Sequence, residues 1–193
     1  MKKVVLSFED LTLESWENLK EKILRLELVF PEQLRAEEEE YLATLKEPDY
    51  VAKVARLNSE YIGNIVGSNA RHMIDLDLYD ELRDDTELKE KTIHVVNVVI
   101  DALYQGHGFG TKLVQEFILE ARKKGYDWLV GFFRPNNSLP LVRKFGAREI
   151  SVHEDWYETG EDYVFCELDL RRYQSQLDFC DFNVPGLQSL LDI

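Results

Sequence analysis

Residues Ile93–Ile100 read IHVVNVVI, almost continuously apolar and β-branched. They give way to YQGHGFGTKLVQEF, which sets Gly106, Gly108 and Gly110 against a run with helical apolar spacing. A run of the first kind marks a central strand covered on both faces. The second opens a helix: Leu113, Val114, Phe117, Ile118 and Ala121 form one stripe, and Lys123, Lys124 and Gly125 supply a cationic last turn and a stop. A turn from a central strand into a helix leaves several main-chain N–H groups without partners. Glycines let that backbone take unusual dihedrals and come close to a ligand, while the helix dipole adds partial positive charge at the same point. The unit constrains the chain to an α/β fold, and its turn invites an anion held by main-chain donors.

The segments around it extend the pattern. Val4–Phe8 is a short β-rich run, and Thr12 is placed to cap a helix carrying Trp16, Leu19, Ile23, Leu26 and Phe30 at helical spacing. Pro31 restarts the chain. Leu34, Tyr41, Leu42 and Leu45 keep one apolar face through Lys46, with Glu37–Glu40 on the solvated side. Tyr50–Leu57 and Tyr61–Gly67 flank NSE as a hairpin. After the glycine loop and its helix come a buried strand at Tyr126–Phe133, a turn at RPNNSLPLVRKFG capped by Asn137 or Ser138, and a short helix closed by Gly146. Ala147–His153 and Asp162–Leu170 read as two last strands joined by EDWYETGE.

No repeat period and no linker rich in Pro, Gly or Ser interrupts this order, so residues 1–170 are expected to form one domain. Residues 171–193 carry Leu177, Phe179, Phe182, Val184, Leu187, Leu190 and Leu191, an extension too apolar for a disordered end. It is expected to pack on the domain or on a neighbouring subunit, which leaves a homodimer open.

The 193 residues are 45% hydrophobic with a formal charge of −14, a balance that argues against a duplex nucleic acid partner. The opening MKKVVLSF is cut short of a signal-peptide core by Glu9 and Asp10, and no stretch is long and apolar enough to span a membrane, so a cytoplasmic protein is expected. Cys166 and Cys180 lack CxxC or His-linked spacing and read as reduced structural thiols; four scattered histidines without HExxH give no metal site.

Two familiar phosphate loops fail on the glycine unit. A GxGxxG fingerprint from Gly106 needs glycine or alanine where Thr111 stands, and GTK inverts the order a P-loop requires. The pattern [Gln/Arg]-x-x-Gly-x-[Gly/Ala] is met by Gln105, Gly108 and Gly110, after an apolar strand and IDALY. On these residues the chain resembles the GCN5-related N-acetyltransferases (GNAT superfamily). From Val4 to Leu170 it follows that family's order of strand, two helices, three strands, helix, strand, helix and two strands.

The resemblance implies a single-domain α/β (α+β) GNAT-like fold, a mixed central β-sheet flanked by helices, and acetyl-CoA as the acyl donor. It implies that main-chain groups of Gly106, His107, Gly108, Phe109, Gly110 and Thr111 bind the pyrophosphate, with Gln105 shaping the loop. It further implies that Val98, Val99 and Ile100 pair with the pantetheine arm and offer an N–H to the thioester oxygen. The family's Asn at the next helix start is met by Asn136 or Asn137; its Tyr four residues before the closing glycine is replaced by Val142, which has no proton for the departing sulfur.

The implied reaction is attack of an amine on the acetyl thioester, small-molecule or peptide, after a base removes its proton. His94 and Asn97 on the central strand, and Glu60, Asp75 and Asp77 around the hairpin and the acidic stretch Asn69–Thr92, are the groups available for that role. Tyr157 and Tyr163 stand where either can substitute for the absent tyrosine, and Trp156 is a cleft wall or core residue. The acidic stretch, with Glu154, Asp155, Glu158, Glu161 and Asp162, favours a cationic acceptor by steering. Two other readings stay open: a non-catalytic coenzyme A or acyl-CoA sensor, and an acidic protein-interaction module.

Overall fold

The computed structural model describes residues 5–73 and 85–173. Thr12 sits in extended conformation ahead of α1 (Leu13–Glu27); its Oγ1 accepts the Ser15 N–H at 3.2 Å, and Ser15 Oγ accepts the Thr12 N–H at 2.9 Å. This reciprocal cap fixes where the apolar stripe Trp16, Leu19, Ile23 and Leu26 begins, and those side chains are buried. Pro31 does not continue into a helix. A single 3-10 turn and an extended Arg35 separate it from α2 (Glu38–Leu45). The acidic run is more than a solvated face: Glu40 accepts the Glu37 N–H at 2.8 Å, and Glu38 accepts from Trp16 Nε1 at 3.4 Å and pairs with Lys20 at 3.3 Å.

Seven strands form one mixed sheet in the order β1-β2-β3-β4-β5-β7-β6, so the expected fold class is observed. They are β1 (Leu6–Asp10), β2 (Val51–Leu57), β3 (Glu60–Asn69), β4 (Thr92–Ile100), β5 (Trp128–Phe133), β6 (Arg148–His153) and β7 (Tyr163–Asp169). Strand β1 runs into Glu9 and Asp10 because Arg56 and Lys53 on β2 pair with those carboxylates. Asn58 and Ser59, both at positive φ, make the tight β2–β3 turn.

Neighbouring strands are antiparallel except β4 and β5, which are parallel and joined by the crossover helix α4 (Phe109–Lys123). A short α3 (Thr86–Glu90) precedes β4, and α5 (Leu139–Arg143) lies between β5 and β6. The sheet is covered on both faces. Leu113, Val114, Phe117 and Ile118 of α4 pack on Ile62, Ile65, Ile93 and Val95; Trp16, Ile23, Tyr41 and Leu45 of α1 and α2 pack with Val54, Val66 and Val99. Phe117 lies so close over β3 that a Cβ on Gly67 would stand 2.5 Å from its ring.

One irregularity opens the sheet at its centre. Gly67 faces Val95 and Val66 faces Asn97, so Val96 is an extra residue in β4, a bulge. Pairing between β4 and β5 runs from Thr92 opposite Trp128 to Val95 opposite Gly131 and stops there; Phe132 and Phe133 continue against β7 alone. The sheet therefore splits, with Val96–Ile100 on one lip and Phe132–Arg134 on the other. Ile93–Ile100 is covered on both faces as expected except at Val96, which is 42% exposed because the bulge and the split remove its neighbour.

At the far end, Leu170 N–H donates to Asp127 O at 2.8 Å and Arg122 donates to Tyr173 O at 2.7 Å, which ties the chain to its own domain through residue 173. The apolar positions beyond it, Cys180, and the acids Asp75 and Asp77 lie outside the described residues.

Candidate active site

The glycine loop closes against the end of β4. After Asp101, a 3-10 turn at Ala102–Tyr104 leads to Gln105, whose Nε2 donates to Ile100 O at 2.8 Å and fastens the loop to the strand. Gly106 and Gly108 sit at φ +80 and +81, conformations that side chains rarely adopt, and Gly108 is the residue that caps α4. Lys112 N–H makes the helix's opening bond, to Gly108 O, so the donors of Phe109, Gly110 and Thr111 stand ahead of it. No acid occupies that first turn. The ring of His107 stacks over Phe109, and its Nδ1 is buried without a hydrogen-bond partner. Gly110 is different: a Cβ there would make ordinary contacts of 3.6 Å with Ile100 and Leu141, so only two of the three glycines are demanded by the backbone.

Beyond the split lies a cleft of about 460 Å³ bounded by α1, α2, β4, β5 and the β6–β7 loop. Its outer wall is aromatic. Phe132 stacks on Trp156 at 4.5 Å between ring centres, His153 meets Trp156 edge-on at 4.7 Å, and Arg134 lies over Phe30 at 5.2 Å. Asp155, Tyr157 and Glu158 all hold positive φ in the loop that presents Trp156. Strain of this kind persists only where surrounding contacts over-determine it, and it gathers at functional sites.

The inner wall is polar and buried. Glu27, the last residue of α1, is 3% exposed; its Oε1 accepts from Tyr41 Oη at 2.5 Å and from Asn97 Nδ2 at 2.6 Å, and its Oε2 accepts the Ala36 N–H at 3.1 Å. Asn97 in turn accepts from Asn64 Nδ2 at 3.1 Å, and Tyr61 donates to Asn64 at 2.5 Å. Burial pushes the Glu27 carboxyl above its ordinary range against the pull of these donors, and it raises the hydroxyls of Tyr41 and Tyr61 as well.

The structure brings some of the expected residues together. His94, Asn97, Val98 and Tyr157 line the cleft, as do Tyr163 and Trp156. Asn97 is 7% exposed and acts as a link in the buried network; Tyr157 is 50% exposed. Tyr163 is buried with its hydroxyl accepting from Arg134 Nε at 2.9 Å. Val99 and Ile100 pack on opposite faces of the sheet. Asn136 and Asn137 are exposed in the turn before α5, whose N-cap position is taken by Ser138, a cleft residue that accepts the Arg134 N–H at 3.0 Å. Val142 is buried in the core. Glu60 stands at the hairpin beside the Tyr104 hydroxyl and does not line the cleft.

Part of the hairpin's acidity is consumed locally. Glu161 pairs with Arg134 at 2.7 Å, Asp162 accepts the Asp155 N–H, and Asp155 accepts the Gly160 N–H. Cys166 is free and buried, its thiol pushed up to about 12 by burial. Among the described residues no group of His, Cys, Asp or Glu is placed to hold a metal, and no described helix is long and apolar enough to cross a membrane.

Sequence reasoning passed over Glu27. One signal was available: it falls four residues after Ile23, on the buried stripe of its own helix, where an acid has no reason to be unless something holds it.

The model of the acetyltransferase (GNAT) family matches residues 12–147. No curated protein matches the chain. Among solved structures, the chain is similar to the ribosomal-protein-S18-alanine N-acetyltransferase of Escherichia coli, at 16% identity and TM-score 0.63 over 91% of this chain and 100% of that one. It is similar to Arabidopsis thaliana NAA60 in complex with acetyl-CoA, at 17% identity and TM-score 0.65 over 86% and 99%. It is also similar to yncA of Salmonella typhimurium with acetyl-CoA, at 17% identity and TM-score 0.64 over 88% and 96%. The glycine loop at the start of α4, the split between β4 and β5, and the family match over more than half its length agree: the chain belongs to the acetyltransferase (GNAT) family.

Proposed function

We propose that the chain is an N-acetyltransferase that moves the acetyl group of acetyl-CoA to an amine by direct attack on the thioester. The observation that carries this reading is the bond from Gln105 to Ile100 O, which sets the start of α4 beside the stretch of β4 that β5 has left. The residues present fit the donor. The space over Gly106 is open to 4 Å, the first turn of α4 carries no acid, and His107 Nδ1 is an orphaned polar atom at the same loop. Neighbours of the same fold hold acetyl-CoA.

In this reading the main-chain groups of Gly106–Thr111 hold the diphosphate, and Gln105 keeps the loop in place. Val98, Val99 and Ile100, unpaired on the β5 side, receive the pantetheine arm, and an N–H there receives the thioester oxygen as charge develops on it. The exposed Asn136 and Asn137, in the turn just before α5, are the candidates for the family's asparagine. Bound acetyl-CoA supplies an activated acyl carbon. The acceptor nitrogen bonds to it, the carbon–sulfur bond breaks, and the sulfur takes a proton that the nitrogen gives up, directly or through water; buried Val142 supplies none. His94, Asn97 and Tyr157 border the attacking amine.

The acceptor arrives as a cation. Glu27, Glu40 and Glu47 line the cleft and favour one over an anion. A second reading, a non-catalytic acyl-CoA sensor, is favoured by one observation, the burial of Val142 where the family's tyrosine would act. Thiol release from acetyl-CoA in the presence of amines separates the two: amine-dependent release supports the transferase, and tight binding without release supports the sensor.

A further inference from the structure

Glu27 is the least ordinary charged group among the described residues. A buried carboxylate is normally paired with a cation. Glu27 is 3% exposed and makes no ion pair with any lysine, arginine or histidine of the described residues; its partners are Tyr41, Asn97 and the Ala36 N–H. It also occupies the last position of α1, where the helix dipole opposes a negative charge. A carboxylate has about four acceptor positions. From the chain, Oε1 accepts two hydrogen bonds and Oε2 accepts one, so Oε2, on a residue that lines the cleft, can accept from a further donor. Three neutral donors hold the group still, and no cation of the described residues pairs with it.

The cleft beside that position is mixed, with one aromatic wall and with Arg35 and Arg134 among its charged lining residues. Phe30, Phe132 and Trp156 face the same cleft, while Glu161 and Asp162 of the adjoining hairpin are already engaged. The other cleft carboxylates have partners, Glu40 the Glu37 N–H and Glu47 the Ser68 hydroxyl, and Arg35 and Arg134 line the same cleft. A polycation would therefore find few open carboxylates, whereas a single ammonium on a flat apolar body would find one anchor and a wall of rings. Resting on the transferase reading above, we propose that Glu27 receives the acceptor's ammonium and takes its proton, and that the acceptor is a primary amine borne on an aromatic or otherwise apolar body. The balance is closed: the ammonium gives one proton to the carboxylate, the freed lone pair attacks the acyl carbon, the thiolate leaves, and the second nitrogen proton ends on sulfur. The protonated Glu27 then returns its proton to water. Asn97 and Tyr41 are positioning residues for that carboxylate.

The test is calorimetric titration of the full chain, with and without coenzyme A, using 2-phenylethylamine, 2-phenylethanol and spermidine. The amine is expected to bind at least about tenfold more tightly than the alcohol, and Glu27→Gln to reduce that preference to about twofold or less. Spermidine is expected to bind more weakly than 2-phenylethylamine. Equal binding of amine and alcohol, no binding of either, preference for spermidine, or an unchanged preference in folded Glu27→Gln would overturn the proposal. Loss of acetyl-CoA binding with the amine preference intact would sink the donor reading and leave the ammonium site standing.

Should Glu27→Gln fail to fold, the pH dependence of amine binding to the unchanged chain decides. The titratable groups facing Glu27 are Glu40 and Tyr41 from α2 and Tyr61 from β3; Arg35 and His94 line the same cleft. Amine affinity is expected to fall as pH is lowered from about 8 to about 4, because burial makes Glu27 take up its proton at higher pH than an ordinary carboxyl, while the ammonium itself stays charged. Affinity flat across that interval would contradict it.

Discussion

Asn97 Nδ2 and Glu27 Oε1, 70 positions apart in sequence, meet at 2.6 Å and join the bulged strand β4 to the C-terminal end of α1. Asn97 satisfies three neighbours at once, donating to Glu27 and to the Tyr41 hydroxyl and accepting from Asn64. Replacing it with alanine leaves one buried donor and two buried acceptors short, at about 1–3 kcal/mol for each group left without any partner. Asn97→Ala is therefore expected to lower the urea midpoint with the slope unchanged. A midpoint equal to that of the unaltered chain would show that the network carries no stability.

Much of this arrangement was legible beforehand, and the reason it was legible is local. Thr12 announces a helix through its own hydroxyl, the Asn58–Ser59 turn through its residue types, and the start of α4 through glycines beside an apolar stripe. What was missed depends on distant neighbours. The bulge at Val96 arises from how β3 and β5 meet β4, and nothing in VVNVV distinguishes the residue that will be left over. Glu27 becomes a site only because Tyr41, Asn97 and Ala36 converge on it, and the run Glu37–Glu40 gains partners only when α1 packs on α2.

The loop glycines are expected to respond unequally to one methyl group. Gly108→Ala must hold φ near +81 with a Cβ, at about 1–2 kcal/mol. Gly110→Ala makes ordinary contacts and sits inside a helix, where alanine is favoured by about 0.5–1 kcal/mol. Thermal melts of the two variants should move in opposite directions. A fall of equal size in both would mean that crowding, rather than backbone conformation, sets the loop.

Gly67 is expected to tolerate no side chain because Phe117 already fills its place. A Cβ would lie 2.5 Å from the Phe117 ring and 3.0 Å from His94 O, and overpacking of this kind costs about 1–3 kcal/mol. Gly67→Ala should destabilise strongly, and adding Phe117→Leu should recover part of the loss beyond what the single variants predict. Strict additivity in that double-mutant cycle would contradict the close approach.

Cys166 is expected to be silent toward alkylating reagents in the folded chain. Its thiol is raised from 9.0 to about 12, so almost no thiolate exists near pH 8, and burial blocks access. Because the unfolded chain ionises this thiol at lower pH than the folded one, the folded state loses stability as pH climbs above about 9. Peptide-level mass spectrometry after iodoacetamide should find Cys166 modified only with denaturant present; modification at native conditions would place the strand outside the core.

The central claim is that the start of α4 holds the diphosphate of acetyl-CoA, and calorimetry of the folded chain with acetyl-CoA tests it most directly. A single saturable site is expected, abolished by Gly108→Glu, which sets a carboxylate at the helix start. Absence of any heat at about millimolar ligand, a level that corresponds to binding weaker than about 4 kcal/mol, would contradict it.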